Sequence, residues 1–417
     1  MKTTNTWQPW LVCLSAALFF FYEFVQMGMF NSISEDLMKA FNISATQLGH
    51  LSAFYFYADV LFLFPAGILL DRFSIRLILL ITVAVCCIAT FIFALSTSLW
   101  LAEISHFAAG IGNAFCFLSC IKLCSRWFPP QRMALIVGLV VTIAMTGGVS
   151  SQTPLILLVQ ALGWREAVMV DAGLGILIFF IIWYFVYDQP HKISTLTSQP
   201  SLKLRQTIRF ALSNPQNWLG GIYTCLLNLP IFLLGALWGI MYLTQVHHLS
   251  HKQASYITMM IFVGTIIGSP LVGWISDKIS RRRLPMILGA ILSLITILII
   301  MYVPDLSFIN LFLLFLLLGI FTSTQIISYP AIGESNPKVM TGTATGVASV
   351  LIMGGGAVFQ PLFGWLMDRH WNHLMVNSVP VYSPTDYLYG MMIFPFAFII
   401  GLIAVLLMRE TYCKSYE

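Results

Sequence analysis

The chain has 417 residues, of which 59% are hydrophobic and 9% are charged, and its formal net charge is +5. A soluble domain of this length could not cover so many apolar side chains with so few charges. The apolar residues come in blocks of roughly 20, the length at which a helix crosses the hydrocarbon core of a bilayer. Because backbone amides in lipid must be satisfied within their own segment, helices are favoured over open strands. The composition therefore predicts an all-α membrane protein. Since the basic residues fall between the blocks, the net charge does not indicate nucleic-acid binding.

Twelve apolar blocks follow one another along the chain, six in each half. The predicted spans of the first half are 10–29, 49–70, 77–95, 99–123, 134–157 and 167–187. Those of the second half are 218–242, 254–275, 285–302, 306–332, 342–367 and 387–408. The sequence thus predicts two six-helix bundles, residues 1–187 and 218–417, joined by a polar cytoplasmic linker at 188–217. The first block lacks a small-residue cleavage site and is expected to remain as a span, not to be removed as a signal peptide.

Basic residues in the short loops predict the orientation. With the N-terminus inside, sixteen lysines and arginines fall on the cytoplasmic side, while Lys39, Arg165, Lys252 and Arg369 fall on the other. We therefore expect both termini in the cytoplasm of a bacterial cell, with the chain in its inner membrane.

The two halves repeat each other. The segment from Gly67 to Arg76 matches the segment from Gly273 to Arg282 at glycine, aspartate, the following base, serine and the final arginine, with an offset of 206. A second set recurs at an offset of 208: Gly138, Gly147, Gly148 and Gln152 return as Gly346, Gly355, Gly356 and Gln360. An internal duplication of six spans in parallel orientation is a plan used by secondary transporters.

These repeated segments resemble the Major Facilitator Superfamily. Residues 67–76 are similar to its signature G-x-x-x-D-R-x-G-R, with Ser74 and Ser280 in place of the usual second glycine. Further stretches with the look of the family are Trp127-Phe128-Pro129, Gly163-Trp164-Arg165, Trp238-Gly239 and Gln360-Pro361. The resemblance implies two bundles that rock about a central site, with the fifth and eleventh spans between them. It favours a hinge role for the glycine runs, and direct substrate contact by Gln152 or Gln360 is the alternative.

The repeated aspartates predict a cytoplasmic gate. Asp71 and Asp277 follow a helix end, where a carboxylate can meet a facing helix N-terminus and an arginine. Such contacts would close the cytoplasmic side and break when it opens. The local basic partners are Arg72, Arg76, Lys278, Arg281 and Arg282, and plain positive-inside anchoring remains the alternative for some of them.

Two carboxylates lie inside apolar blocks, where a charge costs on the order of 3 kcal/mol and usually faces an aqueous path. Glu23 is in the first span and Asp59 is near the middle of the second. A carboxyl group that is neutral when buried and ionised when a cavity opens can carry a proton. The alternative is a structural hydrogen bond to a neighbouring helix.

Other polar groups in the spans are candidates for the same pathway. His106 stands where many members of the resembled family have an arginine, so it is either a switchable charge or a packing histidine. Lys122 either extends to the interface or binds an anion, and Asp171 is expected to cap the sixth span. Further candidates for the substrate pathway are Asn113, Asn228, Trp238 and Gln325.

The sequence predicts no metal site and no cofactor. His247, His248 and His251 are close in sequence but stand without an H-E-x-x-H motif. Cys116, Cys120 and Cys124 recur every four residues and are interpreted as small packing residues. Because the chain has no phosphate-binding P-loop, ATP is not the expected energy source.

A secondary transporter, expected to act as a monomer, is the first functional hypothesis. It would couple a proton to the uptake of a small polar nutrient, such as an amino acid or an organic acid. The same scaffold also supports a siderophore or drug carrier. A non-transporting membrane sensor is expected to carry a large soluble appendage, and a membrane enzyme would need a catalytic constellation that these residues do not form.

Overall fold

A computed structural model describes residues 7–129, 132–188, 204–337, 340–376 and 379–414. Within these ranges the side chains are described except at Asp71, Ala134 and residues 204–208. Most of the predicted linker (189–203) lies outside the described residues, as does the side chain of Asp71.

Long apolar helices make up the first half. They are α1 (Gln8–Phe41), α2 (Ala45–Arg72), α3 (Ile75–Leu95), α4 (Leu99–Trp127), α5 (Met133–Ser150), α6 (Thr153–Leu162) and α7 (Trp164–Phe185). α5 and α6 are two parts of a single apolar span, 135–162. The break falls where Pro154, in the first turn of α6, has no amide to continue the α5 ladder.

The second half has the same character but more interruptions. Its helices are α8 (Leu204–Ser213), α9 (Pro215–Leu227), α10 (Gly239–Gln245), α11 (His251–Ile279), α12 (Arg283–Tyr302), α13 (Phe308–Thr322), α14 (Ser328–Glu334), α15 (Thr341–Asp368), α16 (Pro384–Met391) and α17 (Ile393–Leu407). A π-helical stretch, Ile231–Trp238, follows Pro230 and leads into α10, and a 3₁₀ stretch, Ser323–Ile327, joins α13 to α14. β1 (Met375–Val376) and β2 (Val379–Pro380) form an antiparallel pair after α15.

Twelve helical stretches in the described residues are long and apolar enough to cross a membrane. They correspond one to one with the predicted spans, so the prediction of an all-α protein with twelve transmembrane helices is confirmed. The main difference is at α1, which is predicted to end at 29 and continues to Phe41. Hydropathy falls there because serines, an asparagine and acidic residues enter the sequence, but the helix persists because several of these polar side chains are buried against neighbours.

The chain forms two compact units. The first contains residues 1–36 and 54–197, and the second contains residues 37–53 and 198–417. The tip of the α1–α2 hairpin, residues 37–53, is therefore part of the second unit, and the rest of both helices is part of the first.

Candidate functional site

Glu23 is completely buried in the first unit. Its Oε2 accepts a hydrogen bond of 2.8 Å from the Tyr55 hydroxyl on α2. Its Oε1 has no hydrogen-bond partner among the described groups and lies against Gly112 of α4, where a Cβ would be 2.1 Å from this oxygen. A glycine at 112 therefore makes room for the carboxyl group, and one of its oxygens is left without a donor.

Asp59 lies one turn further along α2 than Tyr55 and is 1% exposed. Its Oδ2 accepts a hydrogen bond of 2.6 Å from the amide of Asn113 on α4, and its Oδ1 has no described partner. The carboxyl groups of Glu23 and Asp59 are thus enclosed between α1, α2 and α4. In each, one oxygen accepts a hydrogen bond from a side chain and the other oxygen has none. The structure brings Asp59 and Asn113 together, two candidates that lie 54 residues apart in the sequence.

His106 is buried among aromatic rings. Its ring centroid lies 4.3 Å from that of Phe30, 5.4 Å from that of Tyr55 and 5.9 Å from that of Phe93. Its Nδ1 has no described hydrogen-bond partner. Tyr55 therefore contacts both His106, through its ring, and Glu23, through its hydroxyl.

A second polar chain lies between α1, α3 and α7, and sequence analysis missed it. The amide of Gln26 donates to the carboxylate of Asp171 and accepts a hydrogen bond of 3.1 Å from the Thr90 hydroxyl. The Tyr22 hydroxyl is 3.5 Å from the same Thr90 oxygen. Asp171 is 6% exposed and does not cap α7, so the predicted capping role is wrong. The signal that could have found this chain is the i, i+1, i+4 spacing of Tyr22, Glu23 and Gln26 on one helix.

The two repeated glutamines hold the interrupted spans. Gln152 accepts a hydrogen bond of 2.8 Å from Asn31 and donates one of 2.9 Å to Ser151 at the break between α5 and α6. Gln360 donates to the Phe232 carbonyl, at 2.9 Å, in the π-helical stretch. Both side chains are fully buried, so in the described structure each bonds to a neighbouring helical segment.

Three further candidates lie in the second unit. The amide of Gln325 donates to Asn228 at 2.8 Å. Trp238 is fully buried and stacks on Phe363, with ring centroids 5.5 Å apart, and its indole N–H has no described acceptor. Gln325 and Asn228 thus bond to each other, while Trp238 makes a separate aromatic contact.

Lys122, near the end of α4, is half-buried. Its ammonium lies 3.4 Å from the Gly67 carbonyl of α2. An amine at a carbonyl near two helix ends is typical of a lysine that extends from an apolar face to a polar boundary.

The second predicted gate motif forms an ion-pair cluster at one end of the second unit. Arg282 pairs with Asp277 at 2.6 Å and with Glu334 of α14 at 2.7 Å. Burial alone would lower the pKa of Arg282, but the hydrogen bonds that Arg282 donates to Glu334 and Asp277 outweigh it and raise the pKa. Asp277 is 69% exposed while Glu334 is 15% exposed, so Glu334, which sequence analysis missed, is the more enclosed partner.

Three other predicted gate bases lie on the surface of their units. Arg72 and Arg281 are exposed, and the Lys278 ammonium is 4.7 Å above the Trp274 ring.

Similar hydrogen bonds connect two pairs of helices, α3 with α7 in the first unit and α12 with α17 in the second. In the first, Asp188 accepts from the Arg76 amide at 2.9 Å and also bonds the Ser74 hydroxyl, while the Arg76 guanidinium donates to a carbonyl in the last turn of α7 at 2.5 Å. In the second, Glu410 accepts from the Arg283 amide at 3.0 Å, and Arg283 donates to two carbonyls in the last turn of α17, at 3.2 and 2.6 Å. A carboxylate thus meets a helix N-terminus and an arginine meets a helix C-terminus, as the helix dipole favours.

At the tip of the α1–α2 hairpin, within the second unit, the N-terminus of α2 is held by Asp368 at the end of α15. The Thr46 and Ala45 amides donate to its two carboxylate oxygens at 2.7 and 3.3 Å. The Tyr382 hydroxyl donates to Asp368 at 2.7 Å and accepts from the Ala45 amide at 3.0 Å. Burial and the neighbouring Asp368 carboxylate raise the pKa of Tyr382. Gly364 permits this approach, because a Cβ there would be 2.3 Å from the Ala45 carbonyl oxygen. We call these residues the Asp368 clasp.

The comparisons with known proteins agree with this architecture. The family model of the Major Facilitator Superfamily matches residues 13–351 and 222–412. The chain therefore belongs to the Major Facilitator Superfamily.

Similar proteins with named functions include transporters and a sensor. The chain is 22% identical to the probable sulfoacetate transporter SauU of Cupriavidus necator, over 84% of this chain and 86% of that protein. It is 26% identical to the D-galactonate transporter of Escherichia coli, over 62% of this chain and 67% of that protein. It is also 23% identical to the membrane sensor protein UhpC of Escherichia coli, over 88% and 87%.

Two solved structures share the fold. A bacterial homologue of the human lysosomal transporter Spinster, inward-facing and unoccupied, superposes with a TM-score of 0.80 at 15% identity and covers 97% of this chain and 98% of its own. A mutant of the nucleoside transporter NupG gives a TM-score of 0.74 at 12% identity, covering 95% and 99%. The chain thus has the fold of a multi-pass transporter of small solutes.

Proposed function

We propose that this chain is a proton-coupled secondary transporter that takes up a small polar nutrient, an amino acid or an organic acid, across the bacterial inner membrane by alternating access. The observation that carries the proposal is Glu23, a completely buried carboxyl group with one acceptor oxygen that has no described donor. Such a group is costly when ionised and becomes less so when water reaches it. Asp59 offers a second group with the same arrangement.

The same proposal includes the organisation and orientation expected from the sequence. Residues 1–187 and 218–417 would be the two bundles, 188–217 a cytoplasmic linker, and both termini would be cytoplasmic. The Arg282 cluster and the loop at residues 67–76 would then lie on the cytoplasmic face and act as its gate. The sixteen-to-four distribution of basic residues supports this orientation.

The proposal is tested in two steps. A thermal-shift screen of the purified protein against amino acids, organic acids and ferric siderophores identifies a ligand, because a ligand that binds the native state stabilises it. That compound is then used in proteoliposomes to compare wild type with Glu23→Gln. We expect the variant to lose accumulation driven by a pH gradient and to retain counterflow exchange. Glu166→Gln, which alters an exposed carboxylate of α7, is the matched control and should behave as wild type.

Two results would reject the role of Glu23. Undiminished gradient-driven accumulation in Glu23→Gln would show that the proton is carried elsewhere. Loss of counterflow together with accumulation would show that Glu23 supports the fold or binds the substrate.

A membrane sensor is the second candidate, because the similarity to UhpC covers 88% of this chain. A sensor would bind a compound in the thermal-shift screen and would not move it across the proteoliposome membrane. Measurable counterflow of the stabilising compound therefore decides against the sensor.

A further inference from the structure

The Tyr22–Thr90–Gln26–Asp171 chain is distinct from the Glu23 pair. Glu23 bonds to Tyr55 of α2, meets Gly112 of α4 and also interacts with the Cys86 thiol of α3, whereas Gln26 bonds to Thr90 of α3 and Asp171 of α7. Glu23 and Gln26 are three residues apart on α1, so a single helix carries both contacts. The two carboxyl groups, those of Glu23 and Asp171, also interact electrostatically.

The position of Asp171 is held from two sides. On α7, Gly175 lies one turn after Asp171, and a Cβ at 175 would be 2.7 Å from the Tyr22 hydroxyl oxygen. The face of α7 that carries Asp171 is therefore pressed against α1. On α1, the Gln26 amide is oriented by Thr90, which donates to its oxygen and leaves its NH₂ group directed to the carboxylate.

No basic group neutralises Asp171 among the described residues. The titratable groups that face it are Tyr22 and Glu23 on α1 and Cys86 and Cys87 on α3. All of them are neutral or negative.

The nearest arginine in sequence, Arg165, is engaged elsewhere, because it donates to the Ala94 and Ser96 carbonyls at 2.7 Å each. An ionised Asp171 would thus be a charge in an apolar core with one neutral amide as its donor, an arrangement that favours proton uptake.

We propose that Asp171 is a second proton-binding residue, coupled electrostatically to Glu23, with Gln26 as its positioning residue. When Asp171 is ionised, it accepts a charge-assisted hydrogen bond from Gln26, which is roughly twice as strong as a neutral one. Protonation weakens this bond and loosens α1 from α7. Because Glu23 and Asp171 carry like charges in one core, ionisation of either disfavours ionisation of the other. The inference rests on the proposed proton coupling and extends it to a residue outside the Glu23 pair.

The test uses infrared difference spectra of the purified full-length protein in detergent, titrated from acid to alkaline pH without substrate or gradient. The signal followed is the carbonyl stretch of protonated carboxylic acids. Asp171→Asn should remove one such signal, and Glu23→Gln should remove another. In Glu23→Gln the Asp171 signal should titrate at lower pH, because a nearby negative charge is gone. In Gln26→Met, which keeps the length of the side chain and removes the donor, it should titrate at higher pH.

Glu166→Gln is the control on the same helix and should leave the buried signals unchanged. A titration of Asp171→Asn that superposes on that of wild type overturns the proposal. An Asp171 signal that does not move in either Glu23→Gln or Gln26→Met also overturns it. If Asp171→Asn does not fold, the opposite shifts in the other two variants still decide the question. Because no transport is measured, failure of this test and failure of the transport assay are separate outcomes.

Discussion

The fit between Glu23 and α4 can be tested by adding one methyl group at Gly112. An alanine there would place its Cβ 2.1 Å from the Glu23 Oε1 and 3.0 Å from the ring of Phe19. Overpacking of this kind costs about 1–3 kcal/mol, and the gain in helix propensity from glycine to alanine is about 1 kcal/mol. We therefore expect Gly112→Ala to lower the free energy of unfolding by up to about 2 kcal/mol. Gly138→Ala, in a helical position with nothing within 4 Å, should stabilise the protein by up to about 1 kcal/mol.

A double-mutant cycle separates this contact from a general intolerance of α4 to substitution. In a Glu23→Ala background the carboxyl group is absent, so Gly112→Ala should lose most of its cost. The free energies are measured by equilibrium unfolding of the purified variants in mixed detergent micelles. If Gly112→Ala is equally destabilising in both backgrounds, the carboxyl group does not occupy the space that the structure assigns to it.

Two more predictions concern the repeated loop and the Asp368 clasp. Ser280→Gly should stabilise the protein by about 1 kcal/mol, because Ser280 has φ 51 and a non-glycine residue there is strained. Ser74→Ala should destabilise it by about 1 kcal/mol through loss of the α3 N-cap. A lower unfolding free energy in Ser280→Gly would contradict the first assignment, and an unchanged or higher one in Ser74→Ala would contradict the second. Asp368→Asn should accelerate hydrogen exchange at the Thr46 amide, since one amide oxygen replaces two carboxylate acceptors and the charge at the helix N-terminus is lost. Asp305→Asn, at an exposed loop position, is its control, and equal protection of Thr46 in both variants would refute the clasp.

The fold was accessible to sequence reasoning because its main determinant is local. Apolar blocks of fixed length must become helices in lipid, and all twelve are found. The residues at which helices end are harder to predict from the sequence. Hydropathy indicates which residues are buried in lipid, but it does not indicate where a helix stops. At the end of α1, Asn31 and Ser32 lower the hydropathy but bond to Gln152 and to the Ser151 carbonyl, so the helix continues.

The candidate site was only partly accessible. A lone carboxylate in an apolar block is visible in the sequence, as at Glu23 and Asp59, but its partners come from other helices. The position of Asp171 near the start of its span predicts a cap, whereas its bond to Gln26 joins residues 145 positions apart. Such pairings depend on which helix faces meet.

The two copies of the repeated loop differ in backbone conformation, although their sequences match. Ser74 and Ser280 occupy matching positions in the two loops, yet Ser74 is an N-cap with φ −59 and ψ 125 and Ser280 is a left-handed C-cap. The duplication preserves the residue type at these positions, while the backbone angles depend on how each following helix begins.

The π-helical stretch at Ile231–Trp238 sets the rotation of the second part of the seventh span relative to the first. A π turn contains more residues than an α turn, and one residue corresponds to about 100° of rotation in an α-helix. A return of this stretch to α geometry would turn α10 about its own axis relative to α9. It would also re-aim Gln245, whose side chain accepts from the Tyr382 amide and the Tyr387 hydroxyl. Gln360 donates to the Phe232 carbonyl within this stretch, so that hydrogen bond would have to break for the rotation to occur.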